Sequence, residues 1–224
     1  MTNKYFRVLL GIVASALIAS TASANLLSNP SFEDPAFGGV EVPGAGNGWT
    51  SFGNAFRIQC EPAPVVGPCP SGGEPISGSG NPGAHDGSVV LKGFGGSGAY
   101  QDFAASEGQT YSGSVWALDP NNGDVLRDNG QAELLIIFFG GGNILDTFVD
   151  VLAQGGPLDT WTLLSVMGVA PAGTDTVRFQ VGQNGGGAPR LDDAYFNLVP
   201  IPGAILLMGS GLLGLMGFRR KKVA

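Results

Sequence analysis

Hydrophobic positions recur along this chain in short runs of period two, separated by glycine-rich breaks. Thr176-Val177-Arg178-Phe179-Gln180-Val181 alternates cleanly, with Val177, Phe179 and Val181 on one face, the pattern of a half-buried strand. Residues 110–118 and 144–152 alternate in the same way. Residues 133–139 are almost continuously apolar, too few to cross a bilayer, and Gly140-Gly141-Gly142 stops them; a strand buried on both faces fits. Further strands are predicted at 49–59 (one or two), 88–94, 161–166 and 190–198. Another lies at 99–103, after a turn at Gly95-Gly96-Ser97-Gly98. At the start, Leu26, Leu27 and Phe32 can pack while Asn29-Pro30 turns or bulges the strand. Residues 35–48 and 61–86 are rich in Gly, Pro and Ser and read as loops, the second long enough to suggest a binding or surface loop. The sum is about nine to eleven short strands and no soluble helix, which predicts an all-β, antiparallel two-sheet sandwich over residues 25–198.

Two segments break the period. Residues 1–24 have the layout of a secretory signal peptide: Lys4 and Arg7, an apolar stretch over 8–19, and Ala22-Ser23-Ala24 at the cleavage position. An uncleaved anchor helix is the other reading. Residues 199–218 are 20 uncharged residues, followed by Arg219-Arg220-Lys221-Lys222. A helix of about 18–20 residues is near the minimum for spanning a bilayer; a transmembrane helix is expected at about 203–218, with the basic end cytoplasmic and residues 25–198 outside.

Charge narrows the partners. All 18 acidic residues lie between Glu33 and Asp193, with only 5 of the 11 basic ones, a net of −13 for that span. Such a surface repels phosphate, so no nucleic acid is expected as a partner, while a hard cation such as calcium suits it. The 38 glycines follow no three-residue period, which excludes collagen. Cys60 and Cys69 enclose a proline-rich loop; after export they would close as a local disulfide, two free thiols being the alternative. Nothing suggests an enzyme. One histidine, His85, lies beside Asp86, no Gly-x-Ser-x-Gly elbow is present, and Asp192 and Asp193 should point to opposite faces of a strand. Trp116 and Trp161 sit in alternating strands and read as core. Trp49, between Gly48 and Thr50 beside a loop, is the aromatic platform expected for a glycan.

A series of motifs in order adds a resemblance. Asn29-Pro30-Ser31-Phe32-Glu33 resembles the opening strand of jelly-roll carbohydrate-binding modules. Asp86-Gly87-Ser88, Tyr100-Gln101-Asp102-Phe103, Gly108-Gln109-Thr110-Tyr111, Trp161-Thr162-Leu163-Leu164 and Arg190-Leu191-Asp192-Asp193-Ala194-Tyr195-Phe196 follow. The resemblance implies a galactose-binding-like jelly roll and a structural calcium tying the first strand to the last. Its ligands would be the Ser31 carbonyl, Glu33, Asp86 and one of Asp192 or Asp193. Turn and strand-end acids in water remain the alternative.

The tail resembles the PEP-CTERM sorting signal in its Val-Pro-x-Pro form. Val199-Pro200-Ile201-Pro202 matches the short motif and Arg219-Arg220 opens the basic end, with Ile201 where the eponymous motif has Glu. The resemblance implies an exosortase as partner, transient membrane insertion, and export through the inner membrane of a Gram-negative bacterium to the cell surface or extracellular matrix. A plain anchor is the alternative. The expectation is a non-enzymatic surface or matrix protein associated with extracellular polysaccharide. The alternatives are a structural matrix protein without a glycan site and, less favoured, an extracellular hydrolase.

Overall fold

A computed structural model describes residues 24–38, 40–59, 76 and 82–200. Among them are nine strands and no helix: β1 (Glu41–Pro43), β2 (Thr50–Gln59), β3 (Val89–Ala104), β4 (Thr110–Leu118), β5 (Arg127–Gly140), β6 (Asn143–Ala153), β7 (Thr162–Val169), β8 (Thr176–Gly186) and β9 (Arg190–Val199). No helix among the described residues is long and apolar enough to cross a membrane. The predicted signal peptide, the Cys60–Cys69 loop and the tail from Ile201 onward, with its basic end, lie outside the described residues.

The 16 residues of β3 organise the rest. Its first half pairs with β9, Leu91 opposite Leu191 and Lys92 opposite Arg190. Its second half pairs with β8, from Ser97 opposite Gln183 to Ala104 opposite Thr176. Two layers follow from this switch, β6-β5-β8-β3 and β3-β9-β4-β7, with β2 running antiparallel to β3 along both halves. The predicted turn at Gly95-Gly96-Ser97-Gly98 is therefore a bend inside one strand. Gly95 and Gly96 adopt φ of +57° and +75°, and Gly53 in the neighbouring strand adopts +62°, conformations that favour glycine. A Cβ on Gly53 would sit 2.8 Å from the Gly96 carbonyl oxygen. The register of β2 shifts between Phe52 and Asn54, so both strands bend together and neither reverses.

At the opposite edge β5 and β6 join through Gly141 and Gly142, both at positive φ, as a two-residue hairpin requires. Strands β6 and β7 approach each other there, and the Ser165 N–H donates to Asp150 Oδ2 at 2.8 Å. The sandwich is thus nearly closed. Its core combines Leu134, Ile136 and Phe138 of β5 and Val177, Phe179 and Val181 of β8 with Tyr111, Val115, Leu164 and Phe196 from the other layer. In β8 these are the positions that the period of two sent inward; β5, expected to be buried on both faces, leaves Leu135 and Phe139 half-buried on its outer side. A second, smaller cluster of Ile58, Ile76 and Val90, with Phe56, Ala84 and Trp161 against it, shows that part of the long loop covers the outer side of β2 and β3.

Residues 25–33 form no strand, since Asn29 and Phe32 adopt φ of +50° and +60°. They still bond to both β9 and β3. The Leu26 N–H donates to the Phe196 carbonyl at 2.7 Å and the Ala194 N–H to the Pro30 carbonyl at 3.0 Å. On the other side, the Gln101 amide accepts from the Ser28 N–H and donates to the Ser28 carbonyl. The segment fills the place where β9 and the second half of β3 part. Phe32 is fully buried there, a contribution of about 1.5–3 kcal/mol.

Candidate functional site

Alternation that buries one face of a strand presents the other, and cross-strand register decides what meets on it. On the outer face of the β6-β5-β8-β3 layer, Val149, Leu135, Gln180, Tyr100 and Thr50 fall in one row across five strands. The next row on one side is Thr147, Ile137, Arg178 and Asp102; on the other it is Val151, Glu133, Gly182, Gly98 and Phe52. Gln180, Tyr100, Leu135, Glu133, Arg178 and Phe52 are half-buried, and Thr50, Asp102 and Val149 are exposed.

The polar groups on this face are held in place. Arg178 donates two parallel hydrogen bonds to Asp102, at 2.8 and 2.9 Å. Its guanidinium lies 3.5 Å from the centroid of the Tyr100 ring, and the bonds to Asp102 raise its pKa against the opposing effect of burial. Gln131 donates to Glu133. Phe52 stands 6.4 Å from Tyr100, ring centre to ring centre. The face thus combines aromatic carbon with planar amide, carboxylate and guanidinium groups, the mixture that orients a polar ligand.

A second cluster lies where the chain's beginning meets its last strand. Glu33 Oε1 accepts the N–H groups of Ser88 and Val89 at 2.7 and 2.8 Å. The fully buried Asp192 accepts the N–H groups of His85 and Asp86 on Oδ2, at 2.8 and 2.9 Å, and that of Asp193 on Oδ1. The Ser31 hydroxyl donates to Asp86 Oδ2 at 2.8 Å. Gly87, at φ +63°, is required, because a Cβ there would sit 2.3 Å from Glu33 Oε1. Glu33, Asp86, Asp192 and the Ser31 hydroxyl therefore meet at one place, and the loop 85–89 is held by carboxylates from both ends of the domain. Burial pushes the Asp192 carboxyl well above the ordinary carboxylate range; the three N–H groups oppose this and Glu33 adds to it. Oxygen donors in excess, one of them a buried carboxylate, suit a hard cation. Their present partners are N–H groups, and among the described residues no three Asp, Glu, His or Cys side chains converge as a ready-made metal cage.

Asp193 sits differently from the expectation. Its φ of +48° breaks the alternation, and its carboxylate lies 3.1 Å from His85 Nδ1, a close contact without the direction of a hydrogen bond. Both Asp192 and Asp193 thus engage His85, where opposite faces were expected.

The tryptophans exchange their expected places. Trp49, expected as an exposed platform, is buried in the core, 5.0 Å from Phe32 and 6.2 Å from Phe179, and its Nε1–H donates to the Asn29 carbonyl. A residue just ahead of a strand that follows a loop is not thereby exposed; here the opening segment folds over it. Trp116 and Trp161, expected in the core, are half-buried on the outer side of the other layer. There His85 stacks on Trp116 with ring centres 4.1 Å apart and meets Trp161 edge-on at 5.7 Å. The outward position of Arg178 and Gln180 was legible in the alternation of β8. Their alignment with Tyr100, Asp102 and Glu133 was not, because register joins segments far apart in sequence.

By sequence, no protein-family model and no curated protein matches the chain. By structure, it is similar to a cyclase from Fischerella sp. TAU in complex with 4-(1H-indol-3-yl)butan-2-one, at 13% identity and a TM-score of 0.54, over 80% of this chain and 98% of that one. It is also similar to TmCBM61 in complex with β-1,4-galactotriose, at 15% identity and a TM-score of 0.47, over 79% and 99%. The C-terminal family 22 carbohydrate-binding module of Clostridium thermocellum Xyn10B is likewise similar, at 16% identity and a TM-score of 0.47, over 76% and 91%. At these identities the likeness to the cyclase is one of fold, an antiparallel β-sandwich.

The buried carboxyl carries a pH signature. A group whose folded pKa lies above its unfolded value, about 3.9 for Asp, holds its proton more tightly when folded. Its contribution is complete below that value and is lost as pH rises through the folded pKa. Urea unfolding from pH 4 upward should therefore show a stability decline that is shallower in Asp192→Asn than in the native chain. Identical pH profiles would assign the decline to other groups.

Proposed function

We propose that the outer face of the β6-β5-β8-β3 layer binds an extended polysaccharide, without turnover, and that the chain does so outside the cell. The observation that carries this reading is the five-strand row through Leu135, Gln180 and Tyr100, flanked by Glu133 and Phe52 on one side and by Arg178 and Asp102 on the other. Five strands at about 4.8 Å spacing give a row of roughly 19 Å, the length of an oligosaccharide and not of one sugar. The carbon faces of Tyr100 and Phe52 suit the apolar faces of pyranose rings, and Gln131, Glu133 and Gln180 suit their hydroxyls. In affinity electrophoresis of the full chain through gels holding soluble polysaccharides, Tyr100→Ala and Gln180→Ala should each weaken retardation by about tenfold. As both side chains lie on the outer face, melting should change little. Unchanged mobility of the native chain in every polysaccharide would favour a structural matrix protein without a glycan site.

The acidic cluster would, on this reading, hold calcium through Glu33, Asp86 and Asp192 beside Ser31, offsetting the negative charge gathered where the two ends of the domain meet. Any ion bound by the folded state and not the unfolded one stabilises it, so chelation should lower the melting temperature and added calcium restore it. A transition indifferent to both means that main-chain N–H groups alone close the cluster.

The two terminal segments support export and sorting by an exosortase at the Val199-Pro200-Ile201-Pro202 motif. Replacing Pro200 and Pro202 by alanine should leave the expressed chain at its unprocessed mass in the membrane fraction. Processing that proceeds unchanged would remove the motif from the sorting step.

A further inference from the structure

The charge economy of the domain narrows the glycan class, on the reading that the outer face binds polysaccharide. Residues 24–200 hold five basic side chains, and four are already committed. Arg57 is 3% exposed and donates to the Phe32 and Pro35 carbonyls. Lys92 and Arg190, 5% and 0% exposed, both close on Asp124, at 3.0 and 2.8 Å. Arg178 is bound to Asp102 through both of its parallel hydrogen bonds and rests on Tyr100. Only the fifth, Arg127, is exposed, and it donates to the Gly123 carbonyl. Among the described residues, eight acidic side chains are exposed against this one basic side chain.

We infer that the face selects neutral polysaccharide and rejects polyanionic ones, such as polyuronates and sulfated glycans. The reason lies in the face as well as the net charge. Asp102 holds the Nε and one Nη2 hydrogen of Arg178, so a uronate carboxylate can meet the guanidinium only at its Nη1/Nη2 edge, where a carboxylate is already paired with the same cation. Two carboxylates would then share one positive charge, which offsets only one of them, and the second is repelled by the first. Glu133, on the neighbouring strand β5 and in the row on the far side of Gln180, adds a second carboxylate with Gln131 as its partner. The hydroxyls of a neutral glycan meet no such repulsion, since they donate to Asp102 and Glu133 at lone pairs that the existing hydrogen bonds leave available. Arg178 thus supports the Tyr100 ring and is not offered as an anion receptor.

The test compares the full chain, in the presence of a chelator to prevent cation bridging, against two sets of soluble polysaccharides. The neutral set is xylan, galactomannan and mixed-linkage β-glucan; the anionic set is alginate, polygalacturonate and hyaluronan. Retardation by at least one neutral glycan is expected, changing less than about twofold between about 50 and 500 mM NaCl, a range over which exposed charge pairs are heavily screened. No anionic glycan should retard the chain. The double variant Asp102→Asn, Glu133→Gln, which frees the guanidinium and removes both carboxylates, should gain affinity for the anionic set by about tenfold or more, and this gain should vanish with salt. Salt-sensitive binding of an anionic glycan by the native chain overturns the inference while leaving polysaccharide binding intact. A double variant that gains nothing overturns charge as the selecting principle. Binding to neither set overturns the polysaccharide reading itself and this inference with it.

Discussion

Strand β3 bonds to β9 with its first half and to β8 with its second, and every other feature of the sandwich is arranged around that division. One strand serving two layers ties them together covalently and leaves a gap where its second half parts from β9. The opening segment meets that requirement. It bonds to β9 through Leu26 and Pro30 and to β3 through Ser28, and places Phe32 and then Trp49 over the gap. Without the bend at Gly95 and Gly96, matched by Gly53 in β2, the strand would stay in one sheet and the opening segment would have no place to fill.

The acidic cluster belongs to the same constraint. Glu33 ends the opening segment and Asp192 lies in the last strand, yet both bind the loop that leads into β3. Chain ends distant in sequence are thereby fixed to the start of the strand on which the sheets depend. The cost is two carboxylates near each other in a place that water reaches poorly, and the upward displacement of the Asp192 pKa expresses it. Three main-chain N–H groups offset part of that cost, and a cation would offset more.

The bend also shapes the outer face. Because the second half of β3 enters the β8 layer, Tyr100 and Asp102 come beside Gln180 and Arg178. The guanidinium is then consumed by Asp102 and by the aromatic ring. With Arg57, Lys92 and Arg190 buried against carbonyls and Asp124, Arg127 is the one exposed cation among the described residues and the charge shown to solvent is mainly negative. A surface so arranged selects a partner through hydroxyls and carbon faces more readily than through ionic pairing.

The sequence by itself determined the fold class, nearly all the strands and the inward positions, because the period of two and the glycine breaks are local properties. Residues 110–118 alternate, and β4 spans those same residues. Ser31, Glu33, Asp86 and Asp192 were linked in the sequence only through a resemblance to carbohydrate-binding modules, and the loop at which they meet is a product of the fold. What the tertiary structure decided is everything that depends on which segments meet. Gly95 and Gly96 bend β3 where their composition suggested a reversal, because a neighbouring strand can follow the bend. Trp49 is in the core and Trp116 outside it, because burial depends on what covers a residue and not on its own neighbours in the chain. Asp193 joins Asp192 at His85 because one positive φ interrupts the alternation. The Arg178–Asp102–Tyr100 group exists only through register between β3 and β8, a pairing of residues about 76 positions apart that no local pattern encodes.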